Sequence, residues 1–165
     1  MLVDWIFELT FSFKLLLAFF IGAVIGWDRE KSGHEAGIRT FGLISLGSCA
    51  FGLISIYSTG TDIGRIAAQI IPGIGFICGG IIFREQGGHL KGITTAATLW
   101  CSAASGMAIA FDMYVVGLIN CLIILCFLSL KNTRLWRFIQ PKKKATLLEP
   151  VEANENPEIK VKESV

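Results

Sequence analysis

Five stretches of the chain are apolar along nearly their whole length, and short polar joints separate them. They run from about Phe11 to Trp27, Ile38 to Tyr57, Ile66 to Phe83, Ile93 to Phe111 and Tyr114 to Leu130. An α-helix needs about 20 apolar residues, within a range of roughly 17–25, to cross the hydrocarbon core of a bilayer. In lipid only helices satisfy every backbone group within one segment, and a barrel would show short strands of alternating polarity instead. The joints DREKSGHEAG, STGTDIGR, REQGGHLKG and Asp112-Met113 are short enough to force neighbouring helices antiparallel. The pattern predicts an all-α polytopic transmembrane helical bundle of about five spans, occupying residues 1–139.

After Gln140 the pattern stops. The segment PKKKATLLEPVEANENPEIKVKESV mixes charges, carries prolines and has no sustained period. Such a segment cannot bury enough apolar surface to offset its ordering entropy. Residues 140–165 are predicted to be a disordered tail, with Lys142, Lys143 and Lys144 as a stop-transfer anchor against anionic headgroups.

Composition agrees with the bilayer as solvent. The chain has 165 residues, 53% of them hydrophobic and 17% charged, with a mean hydropathy of +0.61. Soluble domains are about 25% charged, and a chain this small would leave much of its apolar surface in water. The formal charge of +2 gives no footing for nucleic-acid binding. Where the basic residues lie says more. Arg29, Lys31, Arg39, Arg84, Lys91, Lys131, Arg134, Arg137 and Lys142 to Lys144 fall on one side of a five-span arrangement, and only Lys14 and Arg65 on the other. The positive-inside rule therefore predicts an external N-terminus and a cytoplasmic C-terminus. The start, MLVDWIFE, is acidic where a signal peptide would be basic, so the first apolar stretch is predicted to be a permanent helix. Cys49, Cys78, Cys101, Cys121 and Cys126 all sit within apolar stretches, without CxxC spacing. They read as small buried hydrophobes, and no metal ligand set, cofactor motif or catalytic constellation is evident.

Three places carry candidate function. At the end of the first span Gly22 and Gly26 form a GxxxG that admits a second backbone. The charges Asp28, Arg29 and Glu30 follow, and cannot all face one way on a helix. With Arg39 and Thr40 at the start of the next span they are expected to form a partly buried ion-pair cluster sealing the cytoplasmic mouth of the bundle. The third span carries Arg65, Gln69, Gly73, Gly75, Gly79 and Gly80 around Pro72, where a kink is expected. Gln69 is expected to be a buried amide in need of partners. This segment resembles both the interrupted helices that bind ions in transporters and an ordinary close-packing helix. The fourth span opens with Thr94, Thr95, Thr98 and Trp100. The row Thr95, Thr98, Ser102, Ser105 repeats the spacing of Ser45, Ser48, Gly52, Ser55 in the second span. Such hydroxyl faces pack helices closely or bond across them; a polar pathway for an ion or protons is the sharper alternative. His34 and His89 fall in joints as solvated side chains.

The runs GAVIGWDREKSGHEAGIRTFGLISLGS, RIAAQIIPGIGFICGGIIF and KGITTAATLWCSAASGMAIA resemble the MgtC/SapB family of bacterial and archaeal membrane proteins. The resemblance covers roughly residues 11–130. It rests on Gly26, Arg29, Glu30, Gly37, Arg39, Thr40, Arg65, Gln69, Gly73, Gly75, Phe76, Gly80, Gly92, Thr94, Thr95, Ala96, Ala97 and Trp100. The chain departs from the family pattern at Asp28, where Glu is usual, at Phe41, where His is common, and at Pro72 and Cys78, where small residues are usual. The resemblance is to the short branch, without a folded cytoplasmic C-terminal domain. It implies a non-enzymatic, multi-pass protein of the plasma (inner) membrane, associated with adaptation to low magnesium and acid stress. Its implied partners are the lipid bilayer and other membrane proteins, the ATP synthase or a transporter; a second copy of the chain is a further candidate. The alternative is a small ion or proton channel or a component of magnesium transport.

Overall fold

The computed structural model describes residues 5–57, 64–84 and 90–130. The predicted tail, with its lysine run, lies outside them. Five helices dominate: α1 (Trp5–Lys31), α2 (Ile38–Tyr57), α3 (Gly64–Ile81), α4 (Ile93–Ala110) and α5 (Tyr114–Leu130). Four of them are long and apolar enough to cross a membrane; α5, with 17 residues, is shorter. At 1.5 Å per residue α5 spans about 25 Å, at the lower edge of a transmembrane helix. The all-α, polytopic reading therefore holds. Two local differences do not change it. A two-stranded antiparallel hairpin, β1 (Phe83–Arg84) with β2 (Leu90–Lys91), ends the third span at Ile81 and leads into α4. Helix α1 is longer than its apolar run at both ends, so Asp28, Arg29 and Glu30 are helical instead of forming a joint.

The bundle is built on α1, α2 and α4. α1 runs antiparallel to α2 and to α4, because Glu30 near its C-terminus meets Ile38 at the start of α2, while Lys14 reaches Ala110 at the end of α4. Glycines set the spacing. A Cβ on Gly22 would lie 2.7 Å from the Ser45 Cβ, and one on Gly26 would lie 2.6 Å from the Gly37 carbonyl oxygen. The GxxxG of α1 is thus a true close approach to α2. Between α2 and α4, a Cβ on Gly106 would run into the backbone of Ser45. Ile25, Phe41, Cys49, Leu99, Ile109 and Ala110 fill the resulting core and are fully buried. Leu16, Phe20, Leu43, Phe51, Leu118 and Leu122 stay exposed on the outside, as a lipid-facing surface requires. Phe7, Phe11 and Tyr57 cluster at one end in tilted and edge-to-face contacts, with ring centroids 4.1–4.7 Å apart; aromatic clusters favour the membrane–water boundary.

α3 is different. Only Ala67, Ile70 and Cys78 of its residues are buried. It is one helix through Pro72, not two broken halves. Its start is held to the end of α2, where the Ser55 hydroxyl accepts the Ala67 N–H at 3.1 Å.

Candidate functional site

The inward face of α1 carries Lys14, Ala18, Ile21, Gly22, Ile25, Gly26 and Arg29. The spacing of three and four residues keeps them on one side of a helix. Two of these seven are cations, and they bracket a polar seam between α1, α2 and α4. About 22 Å separates them along the helix axis at 1.5 Å per residue.

At one end, Arg29 is 3% exposed. Its Nη2 donates to the Thr95 Oγ1 of α4 at 2.6 Å, while its Nε is buried without a partner. The expected network of Arg29, Glu30 and Arg39 does not form. Consecutive residues on a helix point about 100° apart, so Arg29 turns to α4 and Glu30 turns to α2. Glu30 is exposed, and its Oε2 accepts the N–H of Ile38 at 3.0 Å. This carboxylate caps the N-terminus of α2, where negative charge is favoured. Gly37 makes room for it: a Cβ there would lie 3.0 Å from the Glu30 Cδ. Arg39 is exposed, and Asp28 and Thr40 are half-buried.

At the other end, Lys14 donates from Nζ to Asp112 Oδ1 at 2.8 Å, and the side chains are 4% and 66% exposed respectively. The same Nζ lies 3.4 Å from the Ala110 carbonyl and 6.0 Å from the centre of the Phe11 ring. Asp112 sits at φ 61° in the three-residue turn, Phe111 to Met113, between α4 and α5. Its carboxyl is held below the usual carboxylate range by the hydrogen bond from Lys14, then by that from Tyr114, whose hydroxyl donates to Oδ1 at 2.8 Å. Among the described residues this is the ion pair the protein forms. Lys14 and Asp112 entered the sequence reading only as topology markers. A lysine inside an apolar run is the signal that would have singled them out, because intramembrane ionisable groups mark sites by default.

Between the ends, the two expected hydroxyl faces do meet. Ser45, Ser48, Gly52 and Ser55 of α2 are all buried, as are Thr95, Ser102 and Ser105 of α4. Ser102 Oγ donates to the Phe41 carbonyl at 3.3 Å, whereas the hydroxyls of Ser45 and Ser48 have no partner. Thr98 bonds back to its own helix, at the carbonyls of Thr94 and Thr95. Thr94 and Trp100 are exposed. Asn120 of α5, which the sequence reading passed over, donates from Nδ2 to Ser105 Oγ and to the Cys101 carbonyl, both at 2.8 Å. An amide in a span bonding across to a neighbouring helix acts as polar glue.

The third-span residues are not brought to this seam. Arg65, Gln69, Gly73, Gly75, Gly79 and Gly80 are exposed, and Phe76 is 87% exposed. Gln69 is therefore not the buried amide expected from its apolar surroundings. The four glycines have nothing within 4 Å of where a Cβ would stand. Gln69 and Gly73, together with Ser48, line a groove of about 470 Å³ between α2 and α3 that is otherwise apolar. No cluster of three or more His, Cys, Asp or Glu that could hold a metal ion occurs among the described residues.

The model of the MgtC family matches residues 15–135, which include Arg29, Asp112 and α2 to α5 and begin one residue after Lys14. The chain belongs to the MgtC family. It is 43% identical over 113 residues to Protein MgtC of Salmonella typhimurium (strain LT2), an overlap of 68% of this chain and 48% of that one. Protein SrpB of Synechococcus elongatus is 36% identical over 140 residues, covering 76% of this chain and 75% of its own. YhiD of Escherichia coli (strain K12), named as a candidate magnesium transporter, is 37% identical over 139 residues, 78% of this chain and 64% of its own. The chain spans about half the length of the Salmonella relatives it matches. No solved structure matches it. The protein is thus a multi-pass membrane member of the MgtC family.

Proposed function

We propose that the chain is a non-enzymatic modulator of other membrane proteins, working in magnesium or acid-stress homeostasis at the plasma membrane. The ATP synthase and an ion transporter are the partners in view. The observation that carries this reading is the outer face of α3. There Gln69, Gly73, Phe76 and Gly80 recur at helical spacing and stay exposed, Gln69 and Gly73 along the open groove beside α2, and the glycines meet nothing. Small residues with an amide on a lipid-side face suit close contact with another helix, since packing and hydrogen bonds drive helix association in membranes. The name given to YhiD supports the link with magnesium. The distribution of Lys and Arg supports an external N-terminus and a cytoplasmic C-terminus, which puts the Arg29 end inside and Asp112 outside.

The test is capture from native membranes with a tagged chain, comparing wild type with Gly73→Leu and Gly80→Leu. Partners recovered by wild type and lost in both variants, at equal levels of folded protein, are expected. Equal recovery by all three overturns the α3 face as the contact. A reporter fused at Asp112 should be external; a cytoplasmic one overturns the orientation.

A conducting role is the second reading, favoured by the two cations and the hydroxyl seam. Against it, magnesium is bound through oxygen ligands, usually one or two carboxylates with retained waters, and the seam's carboxylate, Asp112, stands at its end in the α4–α5 turn. The fully buried Ile25, Phe41 and Leu99 also close the seam next to Arg29. Cation flux into liposomes carrying the purified chain would establish conduction and displace the modulator reading.

A further inference from the structure

Arg29 has no carboxylate within ion-pair distance among the described residues, although Lys14 at the opposite end of the same face has one. An ionised group taken out of water without a counter-charge is costly, and buried charges are normally paired. The surroundings of Arg29 make this sharper. Its guanidinium is aimed at the first turn of α4 through the 2.6 Å hydrogen bond to Thr95. Helix N-termini carry positive partial charge from unsatisfied N–H groups. In α4 the first bond within the helix is from Ala96 to the Gly92 carbonyl, and no side chain caps the terminus. The N–H groups of Ile93, Thr94 and Thr95 precede that bond and have no acceptor among the described residues. A buried cation therefore points at a positive helix end, and its own Nε is unpartnered.

Two positive features converge where one anion would satisfy both. A planar guanidinium fork, a hydroxyl and free N–H groups at a helix start are the donor set that binds phosphate. Gly92 shapes the approach. It turns the chain into α4 at φ 90°, where a Cβ would crowd Ile81. This leaves the exposed Thr94 and Lys91 beside the helix start. Helix ends lie at the level of the headgroups, so the phosphate has two sources: a phospholipid of that leaflet, or free phosphate from solution.

We propose that Arg29, the Thr95 hydroxyl and the first-turn N–H groups of α4 form a binding site for a phosphate group. The site is separate from the outer face of α3 and does not depend on it.

The full chain, delipidated in dodecyl maltoside, is heated while helicity is followed by circular dichroism. One arm adds inorganic phosphate at ionic strength matched with chloride, and the other adds phosphatidylglycerol. A saturable rise in Tm of about 2–4 °C is expected in at least one arm. A response to inorganic phosphate identifies the free anion, and a response to the lipid alone identifies a headgroup. Arg29→Lys keeps the charge but loses the fork, and should weaken the responding arm about tenfold or more. Phosphorus-31 NMR on the unmodified chain supplies a measurement that needs no variant. Broadening of the ligand signal that saturates, and that sulfate but not chloride reverses, is expected. No Tm response and no such broadening in either arm overturns the site, as does an identical response from Arg29→Lys.

Discussion

The seam of α1, α2 and α4 and the outer face of α3 are built from the same kinds of residue and do opposite things. Both are rich in glycine and both carry a polar side chain within an apolar run. In the seam, Gly22, Gly26 and Gly106 stand where a Cβ would collide with a neighbouring helix. On α3, Gly73, Gly75, Gly79 and Gly80 face open space. In the seam, Lys14 and Arg29 are buried and bonded, whereas Gln69 is exposed on α3. Small residues thus hold this bundle together in one region and leave a face available in the other.

The largest effect that could break this contrast is at Gly106. A side chain there must push α2 and α4 apart against the Ser45 backbone. Gly106→Val should cost more than about 4 kcal/mol, in the range reserved for severe core defects, and yield no monodisperse folded protein on size exclusion. Recovery of a helical, monodisperse Gly106→Val protein would show that the seam is loose.

Next comes the ion pair at the Asp112 end. Asp112→Asn leaves Lys14 buried without a counter-ion. Loss of one partner of a fully buried pair costs roughly 3–5 kcal/mol, but Asp112 is two-thirds in water, so about 1–2 kcal/mol is expected. The double variant Lys14→Met/Asp112→Asn should recover most of it. A double variant no better than Asp112→Asn would mean that Lys14 is held by something else. The same pair has a pH signature. The carboxyl of Asp112 is lowered from its ordinary value of 3.8, so its stabilising contribution is complete above that value and fades as pH falls through the lower, folded one. The Tm gap between wild type and Asp112→Asn should therefore be constant near neutrality and shrink only below about pH 4. A gap that closes between pH 5 and 7 would place the effect on another group.

Smaller still is Ser45→Ala. It removes a buried hydroxyl without a partner, and deleting an unsatisfied polar group is close to neutral. A loss above about 1 kcal/mol would reveal that the hydroxyl does bond. Smallest is Gly79→Ala on the open face. With nothing within 4 Å, alanine should fit and steady the helix by about 0.5–1 kcal/mol at most. A fall in Tm would mean that the face is occupied in the isolated protein.

Much of the molecule was legible from order alone. Apolar runs separated by short joints specify spanning helices in antiparallel sequence, because lipid forbids unsatisfied backbone and short joints forbid other connections. The matching three-and-four spacing in α2 and α4 placed their hydroxyls on one face each; the α2 row is buried throughout, and the α4 row is buried at Thr95, Ser102 and Ser105 but only half-buried at Thr98. The span ends were set by apolarity, which is why the small hairpin after Ile81 was not foreseen. What periodicity cannot give is which neighbour a face meets. Arg29 pairs with Thr95, 66 residues away, instead of with Glu30 beside it or Arg39 in the next helix. Gln69 turns outward, although its run is as apolar as those that turn inward. The two faces of α3 do differ along the sequence, but only water would penalise exposing the more apolar one. In a bilayer both faces meet apolar surroundings, so the sequence determined that these segments cross and in what order. Only the packing of α1 on α2 and α4 decided which glycines touch, which cations are buried, and which helix keeps a face free.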